Sequence, residues 1–523
     1  MTTFYRSAAV VAALSCFGIF PAFAEPITIS TESNGITVTG ELLSFDGRFL
    51  QLETEAGVVT MKADGVTCTG ESCPDFDNFV PRIRISGAAR LGELLLPALI
   101  EGYARSEGLQ VEREEGEIVS YSLSNVDGDV LEVTIRSTTS DQGFIDLLEA
   151  NADLVMSARE IRTSEVESLR EAGLGHLDQA GHSKVIALDS LVPVTGVGQS
   201  VQDVSMSELA AVFAGQITDW GALGGQEGLP IHLYLPSDHS GFAQGLLERL
   251  TGTETVSVSL FREDDTNTLA DVIAADPQAL GVLPSRALGS AVALGLVGEC
   301  GLRSVPRVTA VKTEDYPLSF PLFVYIPERP LAPVVDAMLD WFRTADAQLV
   351  VRRAGFVDQG AVPIGLEVQG ERLANAILSA GDETSLATLK TLVSDMYTAV
   401  RLSPTFRFQE GSSDLDIVSR SSLMTLAQGL LDGRYYGQKL KLVGFSDGAG
   451  PAEANQSLSE ARALSVLNDL LVMLGGELPS GVVIQTVGYG EALPIGCDES
   501  RWGRQVNRRV ELWLENAPAQ VSQ

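Results

Sequence analysis

Between residues 81 and 363, short apolar runs alternate with helical patterns, and the joints between them are made of small residues. RIRISG leads into LGELLLPALIEGYARSEG, VLEVTIRSTTS into GFIDLLEANA, and IHLYLPS into FAQGLLERLTG. Strand, small-residue turn and helix repeating in this order imply parallel sheets covered by helices, an α/β fold. In such sheets ligands collect at the carboxyl ends of strands, where the turns offer helix N-termini. The turns here are Ser86-Gly87-Ala88, Ser137-Thr138-Thr139-Ser140, Ser157-Ala158 and Ser240-Gly241. Short hydroxyl side chains and glycine let a ligand oxygen approach the backbone N–H groups, which suits a tetrahedral oxyanion. The same residue types also cap helices, so capping stands beside ligand binding as a reading of these turns.

The flanks read differently. Residues 25–80 alternate with a period of two in ITVTGELLSF, RFLQLETEAG and VVTMKADGV, with Gly and Asp as separators, which predicts a small antiparallel β module. Residues 364–400 lack proline and repeat apolar residues at helical spacing, a packed helical connector rather than a tether. Residues 401–516 then run strand, helix, strand, helix, strand, irregular segment, strand, which predicts a compact α/β unit. A chain of 523 residues has room for this many units.

The chain carries 36 Lys+Arg against 69 Asp+Glu, a formal net of -33, which repels phosphate backbones at long range and excludes nucleic acid as an expected partner. A local anion pocket is still allowed, because backbone N–H groups outweigh net charge over a few ångströms. At the start, Arg6, an apolar run from Ala8 to Phe20, and Ala22-Phe23-Ala24 before Glu25 read as an export signal spanning 1–24. A lipid anchor on Cys16 is the rival reading, but apolar Phe17 to Phe23 follows where a solvated linker belongs.

Four cysteines remain once the signal leaves: Cys68, Cys73, Cys300 and Cys497. An even count in an oxidising compartment suggests two disulfides. Cys68 and Cys73 share the loop-like VTCTGESCP and are expected to pair. Cys300 and Cys497 are then partners by elimination, or else free buried thiols.

Segment 81–363 resembles the periplasmic phosphate-binding protein of ABC importers, a two-lobed type II solute-binding fold. The residues that carry the resemblance are SGAARLGELLLPALIEGYA, DLVMSAREI, KVIALDSLVPVTG, SMSELAAVFAGQITDWGAL, SDHSG and KTEDYPLSFPLFVYI. The resemblance implies Ser86, Ser137, Thr138, Ser157, Ser240 and Gly241 as solute contacts. Two charged groups of the family pocket are missing: Pro236 stands where the family has an Arg, and Ala158 where it has an Asp, while Phe242 replaces a Thr. Loss of a guanidinium fork onto an oxyanion costs roughly 2–5 kcal/mol. Arg159 is the candidate to substitute. The expectation is a lobe pair that binds a small anionic solute, phosphate first, with an ABC importer as a possible partner. A degenerate lobe pair serving only as an envelope scaffold is the alternative.

Segment 401–516 closely resembles the OmpA-like peptidoglycan-binding domain, an α/β sandwich. The match includes Gly444-Phe445-Ser446-Asp447, Gly450, Asn455, Leu458-Ser459, Ala461-Arg462-Ala463, Gly488-Tyr489-Gly490, Pro494, Gly503-Arg504 and Asn507-Arg508-Arg509-Val510. Diaminopimelate in a peptidoglycan stem peptide presents an ammonium beside a carboxylate, and an Asp and an Arg on facing elements can clasp both ends. Asp447 and Arg462 stand at the family's spacing for that pair, so the resemblance assigns them the clasp, with Asn455, Ser446 and Arg508 as surrounding polar contacts. Phe445 departs from the family's usual His.

Gly444-Phe445-Ser446-Asp447-Gly448 also matches G-x-S-x-G between a strand and a helix. A nucleophile elbow needs its His later in the chain, yet His176, His182, His232 and His239 all precede Ser446, so hydrolysis is not expected. No histidine or cysteine cluster has metal-ligand spacing, and no cofactor-binding fingerprint is present. The whole reads as an exported, non-enzymatic envelope protein of a Gram-negative bacterium.

Overall fold

The period-two pattern of the first segment sends Ile27, Ile29, Leu50 and Leu52 to one face, where all four are fully buried in the computed structural model. The structure describes residues 26–31, 35–76, 78–179, 181–237, 242–251, 260–263, 265–379, 385–409, 412 and 414–515. The expected export signal, and Ser240 and Gly241, lie outside the described residues. The described chain divides into two compact units: residues to Pro81 together with Pro330–Pro333, and the remainder.

The first unit is a five-stranded antiparallel sheet of Ile27–Thr31, Thr37–Phe45, Phe49–Thr54, Gly57–Lys62 and Val66–Thr69. The Asp46 carboxylate accepts from the N–H groups of Arg48 and Phe49 and closes the hairpin between the second and third strands around Gly47, whose φ of 88° suits glycine. Cys68 and Cys73 are joined, with Cα atoms 5.9 Å apart.

In the second unit the strand–helix rhythm produces a parallel core. Arg82–Ala88 lies between Gly128–Thr138 and Leu154–Ser157, parallel to both. The sheet is not parallel throughout, and the departures are local in origin. Val126 and Asp127 make a two-residue turn that folds Ile118–Asn125 antiparallel onto Gly128–Thr138. On the other side, Ser319–Tyr325 pairs antiparallel with Leu154–Ser157.

The 13-residue strand Ser183–Thr195 links the two lobes. Its first part, to Ser190, pairs with Ser319–Tyr325; from Leu191 it pairs instead with Ala279–Pro284. The second lobe continues through His232–Pro236, parallel to both Ala279–Pro284 and Leu260–Glu263. Val192, Val194, Leu269, Ile273 and Leu283 form its core.

The C-terminal sheet has the order Ala399–Arg407, Arg509–Glu515, Lys439–Phe445, Val483–Gly488, with only the last pair parallel. Helices Ile417–Leu431 and Ala452–Met473 cover it. The connector is helical, as its periodicity predicts, in Leu366–Ser379 and Leu386–Thr398. Ala376, Leu389 and Leu392 pack with Val443, Phe445, Tyr489 and Trp513, so the connector belongs to the core of this domain. The segment read as irregular holds a short helix, Arg501–Asn507, capped by the Ser500 hydroxyl. No helix among the described residues is long and apolar enough to cross a membrane.

Candidate functional site

Two sets of residues gather at the carboxyl ends of strands. The first lies where Arg82–Ala88, Gly128–Thr138 and Leu154–Ser157 end side by side. Gly87 has a φ of 140°, and a Cβ there would collide with the Met156 carbonyl oxygen, so only glycine allows the two strand ends to approach. Thr139 caps helix Ser140–Leu148, its hydroxyl accepting from Gln142 N–H at 3.1 Å. The Ser140 hydroxyl accepts from Ala158 N–H at 3.1 Å and ties two of the turns together.

Most of the expected solute contacts are engaged inside the lobe. Ser86 donates to Asp146 at 2.5 Å, and Asp146 is also held by Arg136 and Gln142. Ser157, fully buried, donates to the Arg159 carbonyl at 2.7 Å. Thr138 donates to the Gly87 carbonyl at 3.3 Å. Ser137 is half-buried, and its hydroxyl fills space that Gly92 leaves open.

Arg159 does not take the place expected of it as a free cation. Its guanidinium is 5% exposed, pairs with Asp141 and Glu165, and stacks over Phe144. Glu165 doubles as the capping-box acid of helix Thr163–Glu171, so Arg159 is held by the fold itself.

A second arginine near these turns, Arg90, was not singled out from the sequence, and it too is engaged, stacking over the Phe356 ring. Arg90, just past the first strand-end turn, donates through Nε to Asp189 Oδ2 at 2.9 Å, on the strand that crosses between lobes. Burial pushes the Asp189 carboxyl up, while Arg90 and Arg286 of the second lobe pull it down. The signal that was available is a basic residue closing the SGAAR turn.

The second set lies in the C-terminal domain. Strand Lys439–Phe445 delivers Ser446 and Asp447, and helix Ala452–Met473 carries Asn455 and Arg462. A Cβ on Gly444 would run into the Ser459 carbonyl, and one on Gly488 into the Ser459 hydroxyl and Glu460 N–H. The two glycines let the helix sit directly on the sheet, which fixes the separation of its side chains from the strand end.

Asp447 is 7% exposed and accepts from Arg508 Nη1 at 3.3 Å. Arg462 lies over the Phe408 ring at 5.6 Å, and its buried Nη1 has no hydrogen-bond partner among the described residues. Burial lowers its pKa, Asp447 raises it and Arg508 lowers it, so the three charges form one electrostatic group. The Ser446 hydroxyl likewise lacks a partner among the described residues, while its N–H donates to the Gly490 carbonyl at 2.8 Å. Asn455 donates to Glu491 at 2.8 Å.

The structure thus brings Asp447, Arg462 and Arg508 together, with Ser446 adjoining Asp447. It adds Asp498, which was not singled out from the sequence. The Asp498 carboxylate accepts from Gly448 N–H at 2.7 Å and from Asn507 Nδ2 at 2.8 Å, fastening the turn after Asp447 to the Arg501–Asn507 helix. Phe445, at the family's His position, is 1% exposed and lies under the Arg509 guanidinium, a core residue.

Cys497, in this same segment, is bonded to Cys300 of the second lobe, which settles the pairing left open by elimination. The one His/Cys/Asp/Glu grouping of metal-binding size among the described residues, Cys300, Cys497 and Glu499, has both its cysteines in that bond. His182 and His232 hydrogen-bond to the Ile326 carbonyl and to Asp276 respectively.

Residues 74–346 match the model of the PBP superfamily domain, and residues 407–508 that of the OmpA family. Protein SphX of Synechococcus elongatus is 24% identical over 237 residues, 43% of this chain and 69% of that protein. The peptidoglycan-associated lipoprotein of Pseudomonas aeruginosa is 37% identical over 116 residues, 22% of this chain and 64% of that protein. The phosphate-binding protein PstS of Bacillus subtilis is 26% identical over 213 residues, 40% of this chain and 65% of that protein. The chain therefore spans just under two thirds of the last two relatives.

Proposed function

Because this chain belongs to the PBP superfamily and carries an OmpA-family domain behind it, we propose that it is a wall-held solute receptor of the Gram-negative envelope. In this reading residues 407–508 bind peptidoglycan, and the two lobes take up a small anion, phosphate first. The observation that carries the wall-binding half is Arg462, with a buried donor lacking an acceptor among the described residues, in electrostatic reach of the strand-end carboxylate of Asp447. Diaminopimelate supplies both complements: its carboxylate meets Arg462 and its ammonium meets Asp447. Ser446 and Asn455 add polar contacts. Arg508 already donates to Asp447, so it sets how strongly the ammonium must compete.

The full chain is expected to cosediment with purified peptidoglycan. Asp447→Ala and Arg462→Ala should each weaken retention at least about tenfold, the worth of a charge-assisted hydrogen bond. Wild-type protein remaining in the supernatant would end this reading.

The solute half is supported by the Thr139-capped helix N-terminus and the hydroxyl turns at Ser137, Thr138 and Ser157, which end side by side on the first-lobe strands. The names of relatives that bind phosphate point the same way. Delivery to an ABC importer is the role such a receptor would serve. The scaffold alternative draws on Pro236 and on the internal engagement of Arg159 and Ser86.

A thermal-unfolding scan against phosphate, sulfate, phosphonates and small organic acids separates the two. A ligand at about 100 times its dissociation constant stabilises the folded state by about 2.7 kcal/mol. The receptor reading expects such a shift with at least one anion, diminished by Ser137→Ala. No shift across the panel makes the wall-held scaffold the better description.

A further inference from the structure

A chain with 36 basic residues against 69 acidic ones lines one cavity with four arginines and a single carboxylate. The cavity, of about 110 Å³ and partly open to solvent, lies away from both sites described above. It is bounded by residues 302–315 of the second lobe, by helix Leu366–Ser379 and by Arg401, Pro494 and Ile495 of the C-terminal domain. Its arginines are Arg303, Arg307, Arg372 and Arg401, and its carboxylate is Asp315.

Arg303 pairs with Asp203 at 2.6 Å on the lobe side, and the charge to be compensated lies deeper, among the guanidiniums at the junction. Asp315 pairs with Arg401 at 2.7 Å and with Arg407 at 3.1 Å, and Glu511 pairs with Arg372 at 2.5 Å and with Arg509 at 2.8 Å. Four buried guanidiniums, those of Arg372, Arg401, Arg407 and Arg509, thus share Asp315 and Glu511, with Glu314 a further 3.6 Å from Arg407. Arg401 is 1% exposed, yet its Nε is in ion-pair contact with Glu511 at 3.3 Å without hydrogen-bond alignment. Arg372 Nε also has no hydrogen-bond partner among the described residues. Burial, with Arg372 and Arg401 alongside, pushes the Arg509 guanidinium down to about 9 against the pull of Glu511. A buried surplus of positive charge is costly unless an anion compensates it.

We propose that this junction cavity is a second anion site, which takes a small doubly charged oxyanion between the second lobe and the C-terminal domain. Arg303, Arg307, Arg372 and Arg401 line it with positive charge, and Thr309 and Thr313 add hydroxyl oxygens on the lobe side. The volume admits a tetrahedral four-oxygen anion, since one water occupies only about 30 Å³ of the liquid. Ligand and lobe together then neutralise the guanidiniums that Asp315, Glu314 and Glu511 leave in excess. The ligand acts as a third partner in holding lobe to wall-binding domain, and it does so independently of the solute cleft.

The indole N–H of Trp513, which donates to Glu511 at 2.9 Å, is a built-in reporter. The full chain labelled with 15N-tryptophan should show a saturable shift of the Trp513 indole resonance on titration with sodium sulfate, and none with sodium chloride at matched ionic strength. Arg372→Gln should weaken the apparent affinity at least tenfold. Ala310→Leu, which narrows the cavity without changing charge, should weaken it as well, and this keeps the test valid if Arg372→Gln fails to fold. Ser137→Ala should leave the response intact, because the solute cleft is elsewhere. Absence of a saturable shift, a response equal for chloride, full retention in Arg372→Gln and Ala310→Leu, or loss in Ser137→Ala would each overturn the proposal.

Discussion

Glu314 illustrates how one residue records two constraints at once. It follows helix Val308–Lys312 with a φ of 54°, left-handed backbone that a non-glycine residue adopts at a cost, and it places its carboxyl 3.6 Å from Arg407. Burial, with Asp416 and Glu160 alongside, pushes that carboxyl up to about 7 against the pull of Arg407. The unfolded value is about 4.3, so the folded chain holds the proton more tightly. Its contribution to stability is therefore complete below about pH 4.3 and is lost as pH rises through about 7. Glu314→Gln is expected to raise stability at pH 8 by on the order of 1–3 kcal/mol, a range that allows for the group's partial exposure, and to flatten the decline between pH 5 and 8. Urea midpoints at the two pH values check this; an unchanged pH slope would refute it. Arg159 makes the complementary point, since a guanidinium that sequence spacing offers to a ligand is held by Asp141 and Glu165.

At the scale of elements, the approach of helix Ala452–Met473 to its sheet decides where Asp447 and Arg462 sit relative to each other. Gly444 and Gly488 occupy neighbouring, paired positions on two strands, and both face Ser459. Gly444→Ala would force a Cβ into the Ser459 backbone, an overpacking that typically costs about 1–3 kcal/mol and moves the helix outward. The expected outcome is a lower urea midpoint together with weakened peptidoglycan retention, although neither Asp447 nor Arg462 is altered. A variant that keeps wild-type stability would show that the helix has room to shift. The connector helices follow the same logic. Their apolar stripe is legible in the sequence, but the face that receives it, Val443, Phe445 and Trp513, is formed by strands far along the chain.

Across the whole second unit, covalent and ionic links join the lobes and the C-terminal domain. Cys300 and Cys497 close a loop across 197 positions, with Cα atoms 5.6 Å apart. Arg401 and Arg407 reach Asp315, and Arg420 donates to the Asp178 carbonyl at 2.5 Å. The disulfide segment also holds Asp498, which fastens the turn after Asp447. The second lobe is in this way connected through Cys497 to the residues proposed to clasp peptidoglycan. Links of this kind fasten the second lobe to the C-terminal domain directly rather than through a tether.

Element type, the strand-end turns and the two family resemblances were legible from the sequence, because periodicity, capping and turn chemistry operate within a few residues of chain. Thr139, Ser205 and Ser500 cap the helices that follow them, as such residues do wherever they precede a helical pattern. The partner of each charge was not legible. Arg401 lies 86 positions from Asp315 and Arg90 lies 99 from Asp189, and long side chains choose among acids that only packing brings within reach. The same holds for the pairing of Cys300 with Cys497 and for the cluster of arginines at the junction. Those were decided by the tertiary structure, because the energy of a buried charge depends on everything folded around it and not on its neighbours in sequence.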